Sequence, residues 1–558
     1  MINNKIKIAA MMLLAMGAAS CSESFLDVES KTESNVDNFY QSAEDAYRAL
    51  IGCYDGWQCT VSKGPTFTIH ETALTLADEC YGGLGVGDAP NSQVLDRFDM
   101  ACDNSQVNLF DALWGYYYEG IYRCNMLINN MGDNDNEDVK NYVAHAKTIR
   151  AILYFDLGRM FGNVPLVLDA ETGKNNPAQS EPKAIFAQIV KDLNEAIPAF
   201  SEKGNEEATA SANGQFTNDG LLNKYAAEAL LGRVYLFYSG FYGEDPEGCT
   251  KQNAIDALAD VISSGKYELV SDYKNLWPAS AAIAPTAATP TNWSPMEQTG
   301  YKRGNTESVL SMKFNYTADY GDASGSNNDG NRTIVMISAR TGGNLAYPYG
   351  QGWGACTVNP KLAAELATDD RGCSVYDVSS AYAGVWNQAK TDDIRDYTGF
   401  YNNKFCTLSK YDANGGLVSA IQDEMAGDFQ ISQCQDYVLI RYADVLLMHS
   451  ELSNDAAGFN QVCQRSGVSV AFNTENLRQQ RKLEFAFEGV RYWDLLRYGL
   501  DYAADQIEKS FTEVKLKNSD NLPAFNRQNF LNKKGLLQIP HNQITISGGV
   551  LKQNPGWE

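Results

Sequence analysis

The chain has 558 residues, with 45 basic against 69 acidic side chains and a formal net charge of −24. That length with 44% hydrophobic content supports a large core and excludes a disulfide-stapled mini-protein, while a mean hydropathy of −0.35 excludes a polytopic membrane protein. The acidic balance argues against nucleic-acid binding, which relies on Lys and Arg neutralising phosphates. Length alone suggests three or four domains.

The first twenty residues read as an export signal. Lys5 and Lys7 form a basic start, Ile8 to Ala15 is apolar, and Gly17, Ala18, Ala19 and Ser20 are small. The apolar run is shorter than the roughly 20 residues a spanning helix needs. Small residues directly before Cys21 resemble a bacterial lipobox, in which the Cys thiol is acylated and becomes the new N-terminus. Ala18 stands where a Leu is usual, and the competing reading is an ordinary signal peptide. Acylation would make the chain membrane-anchored.

Helical periodicity follows over Ala43 to Trp57, Asn108 to Met131, Asp138 to Phe161, Lys183 to Ile197, Leu221 to Tyr242 and Asn253 to Ser264. Gly162 and Pro165 end the third of these. Tyr437 to Leu452 and Thr474 to Tyr498 continue the pattern late in the chain. Small residues at close spacing (Ala226, Ala229 and Gly232; Ala144, Ala146 and Ala151) suggest stacked helix hairpins of the tetratricopeptide type. The expected class is mainly all-α. A helix-pair scaffold over about 38–265 and 435–500 would carry a long irregular, ligand-facing part over about 267–433, because loops on a rigid scaffold are where recognition usually sits.

No catalytic motif stands out. The four His are too few and too scattered for a zinc site, no G-x-S-x-G occurs, and the Cys show no C-x-x-C spacing. Most of the Cys read as small core residues, with one or two disulfides open to an exported chain. Glu484 and Glu488, four apart, could suggest acid–base work. Arg481, Arg491 and Arg497 interleave with them and with Asp494, which reads better as a compensated ion-pair ladder on one helix. Arg441 and Asp444 read likewise as a helix pair. No cofactor is expected. The 133–138 run DNDNED and the 319–331 stretch carry oxygen ligands of the kind Ca2+ takes, but the first lacks the glycine and distal Glu of an EF-hand and precedes a helix, where acidic residues suit the N-terminus.

A neutral sugar is held by stacking on an aromatic face while planar polar groups fix its hydroxyls. Two regions qualify. The first holds Asp78, Glu79, Tyr81, Asp88, Asn91 and Gln93 among glycines; the second holds Trp293, Tyr301, Tyr316, Tyr320, Tyr347, Tyr349 and Trp353. The glycines beside Trp353 would let backbone approach a ligand. The bland alternative is that these aromatics anchor loops. Trp57, Trp114 and Trp493 lie in helical stripes and read as core.

Several segments together resemble the SusD/RagB family of Bacteroidetes surface lipoproteins. They are YVLIRYADVLLMHSE (437–451), RKLEFAFEGVRYWDLLRYG (481–499), LQIPHNQI (537–544), LKQNPGW (551–557), RAILYFDLGRMFGNVPLV (150–167) and Phe25-Leu26-Asp27 after Cys21. Asp370 departs from the family's usual Asp-Pro-Arg at 369–371. The resemblance implies one SusD-like domain over 21–558 after a signal peptide at 1–20, with four tetratricopeptide-like helix pairs. It also implies a non-enzymatic, lipid-anchored outer-membrane protein on the cell surface. Such a protein captures oligosaccharide and acts as the lid of a SusC-like TonB-dependent transporter. The alternatives are peptide capture by the same architecture, a surface glycoside hydrolase, and a bare tetratricopeptide scaffold.

Overall fold

The computed structural model describes residues 39–169, 176–200, 220–282, 305–315, 329–386, 388–420, 429–519 and 521–558. The early helices form where the apolar stripes place them, with one short addition that no stripe marked, α2: α1 (Ala43–Ser62), α2 (Ile69–Leu76), α3 (Asp111–Met131), α4 (Glu137–Phe161), α5 (Pro182–Ala196), α6 (Lys224–Tyr242) and α7 (Lys251–Ser263). Local chemistry fixes their starts. Ser42 and Asp45 make a reciprocal capping box on α1, and Asn136 in the DNDNED run accepts from the Asp138 and Val139 amides of α4. Asn136 thus caps a helix. Among the described residues no three His, Cys, Asp or Glu gather as metal ligands.

The scaffold is a succession of helix pairs. α1 packs on α3, α4 on α5, α6 on α7, and α8 (Tyr442–Ser453) on α9 (Ala456–Arg465). Small residues set the closeness of these pairs. A Cβ at Gly56 would lie 2.8 Å from the Gly120 Cα, so α1 and α3 touch backbone to backbone. A Cβ at Gly232 would meet Leu258 of α7 at 2.7 Å. Trp57, Trp114 and Trp493 are buried in the scaffold core. The eleven Cys beyond Cys21 are thiols in this structure and most are buried, as the reading of them as small core residues expects.

The two late segments differ from their expected single helices. Tyr437–Arg441 is a strand, and only from Tyr442 does the chain coil into α8. Among the described residues the strands lie in two-stranded pairs. Besides the short pair Val164–Pro165 with Gln179–Ser180, they are β1 (Cys80–Gly83) with β3 (Ala355–Val358), β2 (Ser308–Met312) with β8 (Tyr437–Arg441), β4 (Val375–Asp377) with β5 (Phe400–Asn402), and β6 (Ser409–Tyr411) with β7 (Leu417–Ser419). The expected 474–498 helix is broken into α10 (Thr474–Glu484) and α11 (Arg491–Tyr498). At the break Phe487 and Gly489 take φ of 67° and 73°. His70 Nε2 lies 2.8 Å from the Phe487 carbonyl oxygen, which the helix no longer uses.

This break remakes the ion pairs. Arg441 does not pair with Asp444. Its Nη1 donates to Glu307 at 2.6 Å, its Nη2 to Glu484 at 2.9 Å, and its Nε to Glu488 at 2.7 Å. Arg465 joins through Glu307 at 2.6 Å and through Glu484, and Lys404 donates to Glu488 at 2.7 Å. All six side chains are sealed from water. Asp444 instead takes Arg233 and Arg481, Arg481 and Arg497 converge on Asp494, and Arg491 reaches Asp78. The expected ladder along one helix is therefore a buried network linking separate elements.

Breaking a buried pair from one side leaves an uncompensated charge and costs about 3–5 kcal/mol. Arg441→Met should lower the unfolding free energy by about that amount, read as a fall in urea midpoint, and Arg441→Met with Glu488→Gln should lose less than the two single changes summed. Burial alone would raise the Glu484 carboxyl, but Arg465, Arg441, Arg371 and Lys404 hold it down to about 2. The fold therefore favours its ionised form. That contribution is complete above the ordinary carboxyl value of 4.5 and drains away as pH falls toward about 2. Burial pushes Glu71 and Glu79 up to about 8, so their contribution has the opposite sign and fades as pH rises toward 8. Glu79→Gln should flatten the loss of urea midpoint between about pH 5 and 8; an unchanged slope would remove Glu79 from that account.

Candidate ligand-binding surface

The aromatic segment 346–354 is pinned along its length. Gly350 N donates to Thr407 O at 2.8 Å, Gly352 N to Ala339 O at 2.9 Å, Trp353 N to Val335 O at 2.9 Å and Gly354 N to Ser338 O at 2.8 Å. A Cβ at Gly352 would sit 2.4 Å from both Ser338 Cβ and its carbonyl oxygen. The glycines beside Trp353 thus serve an approach to the chain's own backbone, which corrects the expectation that they open space for a ligand.

Pinning the backbone presents the rings in a fixed array. Tyr349 stacks on Tyr376 with centroids 3.8 Å apart and planes 11° off parallel. Tyr347 meets Tyr411 of β6 at 5.6 Å, and Tyr382 meets Trp386 at 5.2 Å. Tyr347, Tyr349, Trp353, Trp386 and Tyr411 are all partly exposed, so each shows part of its ring to solvent while the rest is packed. Burial pushes the Tyr347 and Tyr349 hydroxyls up, which keeps them neutral donors.

Arg340 joins the two regions that the sequence singles out separately. Its guanidinium lies over the Trp353 ring, 5.6 Å from the centroid, and donates to Asp88 and Asp393 at 3.1 Å each. The loop carrying Asp88 is strapped down by neighbours. Arg395 N donates to Leu84 O at 2.8 Å, and Arg395 Nη2 donates to the Val86 and Asp88 carbonyls at 2.9 and 3.0 Å. A Cβ at Gly85 would lie 2.8 Å from the Arg340 guanidinium carbon, so the clamp requires glycine there. Asp88 and Asp393 keep side-chain exposures of 42% and 48%, leaving carboxylate oxygen free for hydroxyl donors.

Other expected site residues face inward. Asp78 is buried in a two-pronged pair with Arg491 at 2.8 and 2.9 Å; burial alone would raise its carboxyl, and Arg491 outweighs it and holds it below its ordinary value. Tyr81 is fully buried and donates to Ser510 O at 2.6 Å. Gln93 donates to Gly83 O and Asp396 inside the fold, and Glu79 is fully buried. These four serve the fold rather than a ligand. Asn91 opens the short helix Asn91–Asp96 and is half-buried. Cys21, Trp293, Tyr301, Tyr316 and Tyr320, and most of the 319–331 stretch, lie outside the described residues.

Sequence reasoning missed Arg340, Asp393, Tyr376, Trp386 and Tyr411. Arg340, Asp393, Tyr376 and Tyr411 gain their places from partners far along the chain, 252 residues away for Arg340 and Asp88, whereas Trp386 packs on Tyr382 four residues before it. The carboxylates first weighed for catalysis are closed to it. Glu484 and Glu488 are buried and spent on Arg441, Arg465 and Lys404. What remains at the surface suits stacking and hydrogen bonding.

Comparison with known proteins agrees with the fold. A model of the SusD family matches residues 371–557, and one described as starch-binding associating with outer membrane matches residues 85–228. SusD-like protein P2 of Formosa agariphila is 24% identical, aligned over 93% of this chain and 94% of its own. A SusD-like protein of Bacteroides ovatus is 22% identical over 92% of this chain and 88% of its own. Among solved structures, a laminarin binding SusD-like protein superposes with a TM-score of 0.66 at 23% identity, covering 92% of this chain and 99% of that one. Surface glycan-binding protein A from Bacteroides thetaiotaomicron, in complex with laminarihexaose, does so at 0.67 and 18% identity, with the same coverage.

If Arg340 is the clamp, Arg340→Ala should free the 84–90 loop without unfolding the protein. Hydrogen exchange of the loop amides should quicken at least about tenfold while the urea midpoint moves by less than about 1 kcal/mol equivalent, as for a half-exposed pair. Unchanged exchange would show that Arg395 alone holds the loop.

Proposed function

Because the chain belongs to the SusD family, we propose that it captures glycan at the cell surface and hands it to a TonB-dependent outer-membrane transporter of the SusC type, over which it sits as a lid. The observation that carries the reading is the row of partly exposed rings, Tyr347, Tyr349, Trp353, Trp386 and Tyr411, on a backbone pinned by glycine contacts. Sugar recognition wants this pairing of apolar face and rim hydrogen bonds, with the rings already ordered before ligand arrives. Asp88 and Asp393 supply acceptors beside Trp353. Asn91 adds an amide near the same loop, and Trp293, Tyr301 and Tyr320 extend the proposed set. In this reading the protein binds without turnover, since Glu484 and Glu488, the pair that could suggest acid–base work, are committed to Arg441, Arg465 and Lys404. Acylated Cys21 tethers it to the outer membrane through the 22–38 segment. The relatives support this: one matching family is described as starch-binding and associating with outer membrane, and two structural neighbours are named for laminarin and its hexaose.

Calorimetric titration of the mature chain against laminarin, starch and a mixed peptide digest tests the reading. Saturable binding to a glycan is expected, with no new reducing ends released. Tyr347→Ala, Tyr411→Ala and Trp353→Ala should each weaken it by about 1–2 kcal/mol, roughly tenfold. Binding to peptides with every glycan silent, or release of sugar products, would replace the reading. Cys21→Ala should move the protein from the membrane to the soluble fraction, and retention would refute the anchor.

A further inference from the structure

The first helix pair holds a second piece of chemistry that ligand capture does not use. α1 and α3 cross where Gly56 faces Gly120, close enough that a Cβ on either would strike the other's backbone at 2.8 to 3.1 Å. Cys53 lies one turn before Gly56 on α1, and Cys124 one turn after Gly120 on α3. Both thiols are fully buried, and Cys53 is the neighbour that, after burial itself, most raises the Cys124 thiol. A disulfide needs Cα atoms within about 7 Å of each other, and a glycine crossing one turn away is what brings two helical cysteines into that range.

We propose that Cys53 and Cys124 form a disulfide when the chain folds in an oxidising medium. One thiolate attacks the disulfide of oxidised glutathione, or of a thiol–disulfide oxidoreductase, and expels one thiol of the oxidant. The other thiolate then attacks the mixed disulfide and expels the second. One S–S bond forms in the protein and one breaks in the oxidant. The two protein thiols lose two protons and two electrons, and the oxidant leaves as two thiols. The closed loop joins the two partners of the first helix pair. Cys80 and Cys356 make an internal contrast. Their strands set Tyr81 opposite Thr357 and Cys80 opposite Val358, so the two Cys are offset. The Cys356 thiol turns to Thr75 Oγ1 at 3.5 Å and to the Glu71 carbonyl at 3.9 Å instead.

The test does not depend on what the protein captures. The full mature chain is unfolded, reduced, refolded in mixed reduced and oxidised glutathione, alkylated in denaturant and mapped by mass spectrometry. The expected product is a linked peptide pair carrying Cys53 and Cys124, about 2 Da lighter than its two thiol peptides together, with Cys80 and Cys356 alkylated. Alkylation of both Cys53 and Cys124 in the refolded protein, or their bridging to other partners, overturns the proposal. If the chain does not refold, the same mapping on protein exported by cells decides in the same way. As a second reading, reductant should lower the thermal midpoint of the oxidised wild type and leave the Cys53→Ala, Cys124→Ala double variant unmoved. An equal response of the two would also overturn it.

Discussion

Three positive and three negative side chains, shut away from water around Arg441, impose a condition that the neighbouring structure has to meet. Each of these charges would cost several kcal/mol if buried alone. Together they are tolerable only while Glu307, Glu484 and Glu488 all reach Arg441 and while Arg465 and Lys404 complete the balance. The condition explains local features that look arbitrary in isolation. The chain must turn between α10 and α11 for Glu488 to face Arg441. Arg441 must close a strand rather than ride on a helix, because β8 lies against β2 in a register that sets Arg441 opposite Ser308, next to Glu307. Lys404 brings the irregular part into the same knot.

The ligand surface inherits its order from that knot at one remove. Lys404 is followed by Phe405, Cys406 and Thr407, all buried, and Thr407 O receives the Gly350 amide. The next few residues form β6, which sets Tyr411 against Tyr347. A few peptide units thus separate a buried charge from an exposed ring. Arg340 does the same work on the other flank with half-exposed partners, so that flank is held more lightly. The surface is stiff under Tyr347 and Tyr349 and softer at the Asp88 loop.

The helices of the scaffold were legible because burial repeats every three or four residues and caps stand at their starts, as at Ser42 and Asn136. Gly232 was legible as a contact for the same reason. Strand β8 was not: Tyr437 to Arg441 continues an apolar pattern that a helix would also satisfy, and its partner lies more than a hundred residues earlier. The 485–490 turn hid in the same way, since the carbonyl it frees is met by His70, 417 positions away. In the candidate site, Asp88 and Trp353 could be named from composition and position, but the guanidinium between them could not. Asp78 and Tyr81 misled because polar residues among glycines look solvent-facing, and only the distant Arg491 and Ser510 show otherwise. The family resemblance supplied the architecture that spacing left open, in agreement with the matching models and the structural neighbours.

The positions that lock the irregular part in place are spread from Glu307 to Glu488, and the pair fastening the start of the chain to its end, Asp78 with Arg491, spans 413 residues. Loop closure over such distances is slow, and its contacts reward the chain only once both ends exist. A ribosome or a secretion channel delivering this protein from the N-terminus therefore releases nearly all of it before the last carboxylates can arrive. Until then the helix pairs near the start can form and the aromatic segment can bond to Val335, Ser338, Ala339 and Thr407, but the charge knot beneath it stays open. The charge knot therefore sets only after the tail emerges, so the rigidity of the finished protein comes late in its making.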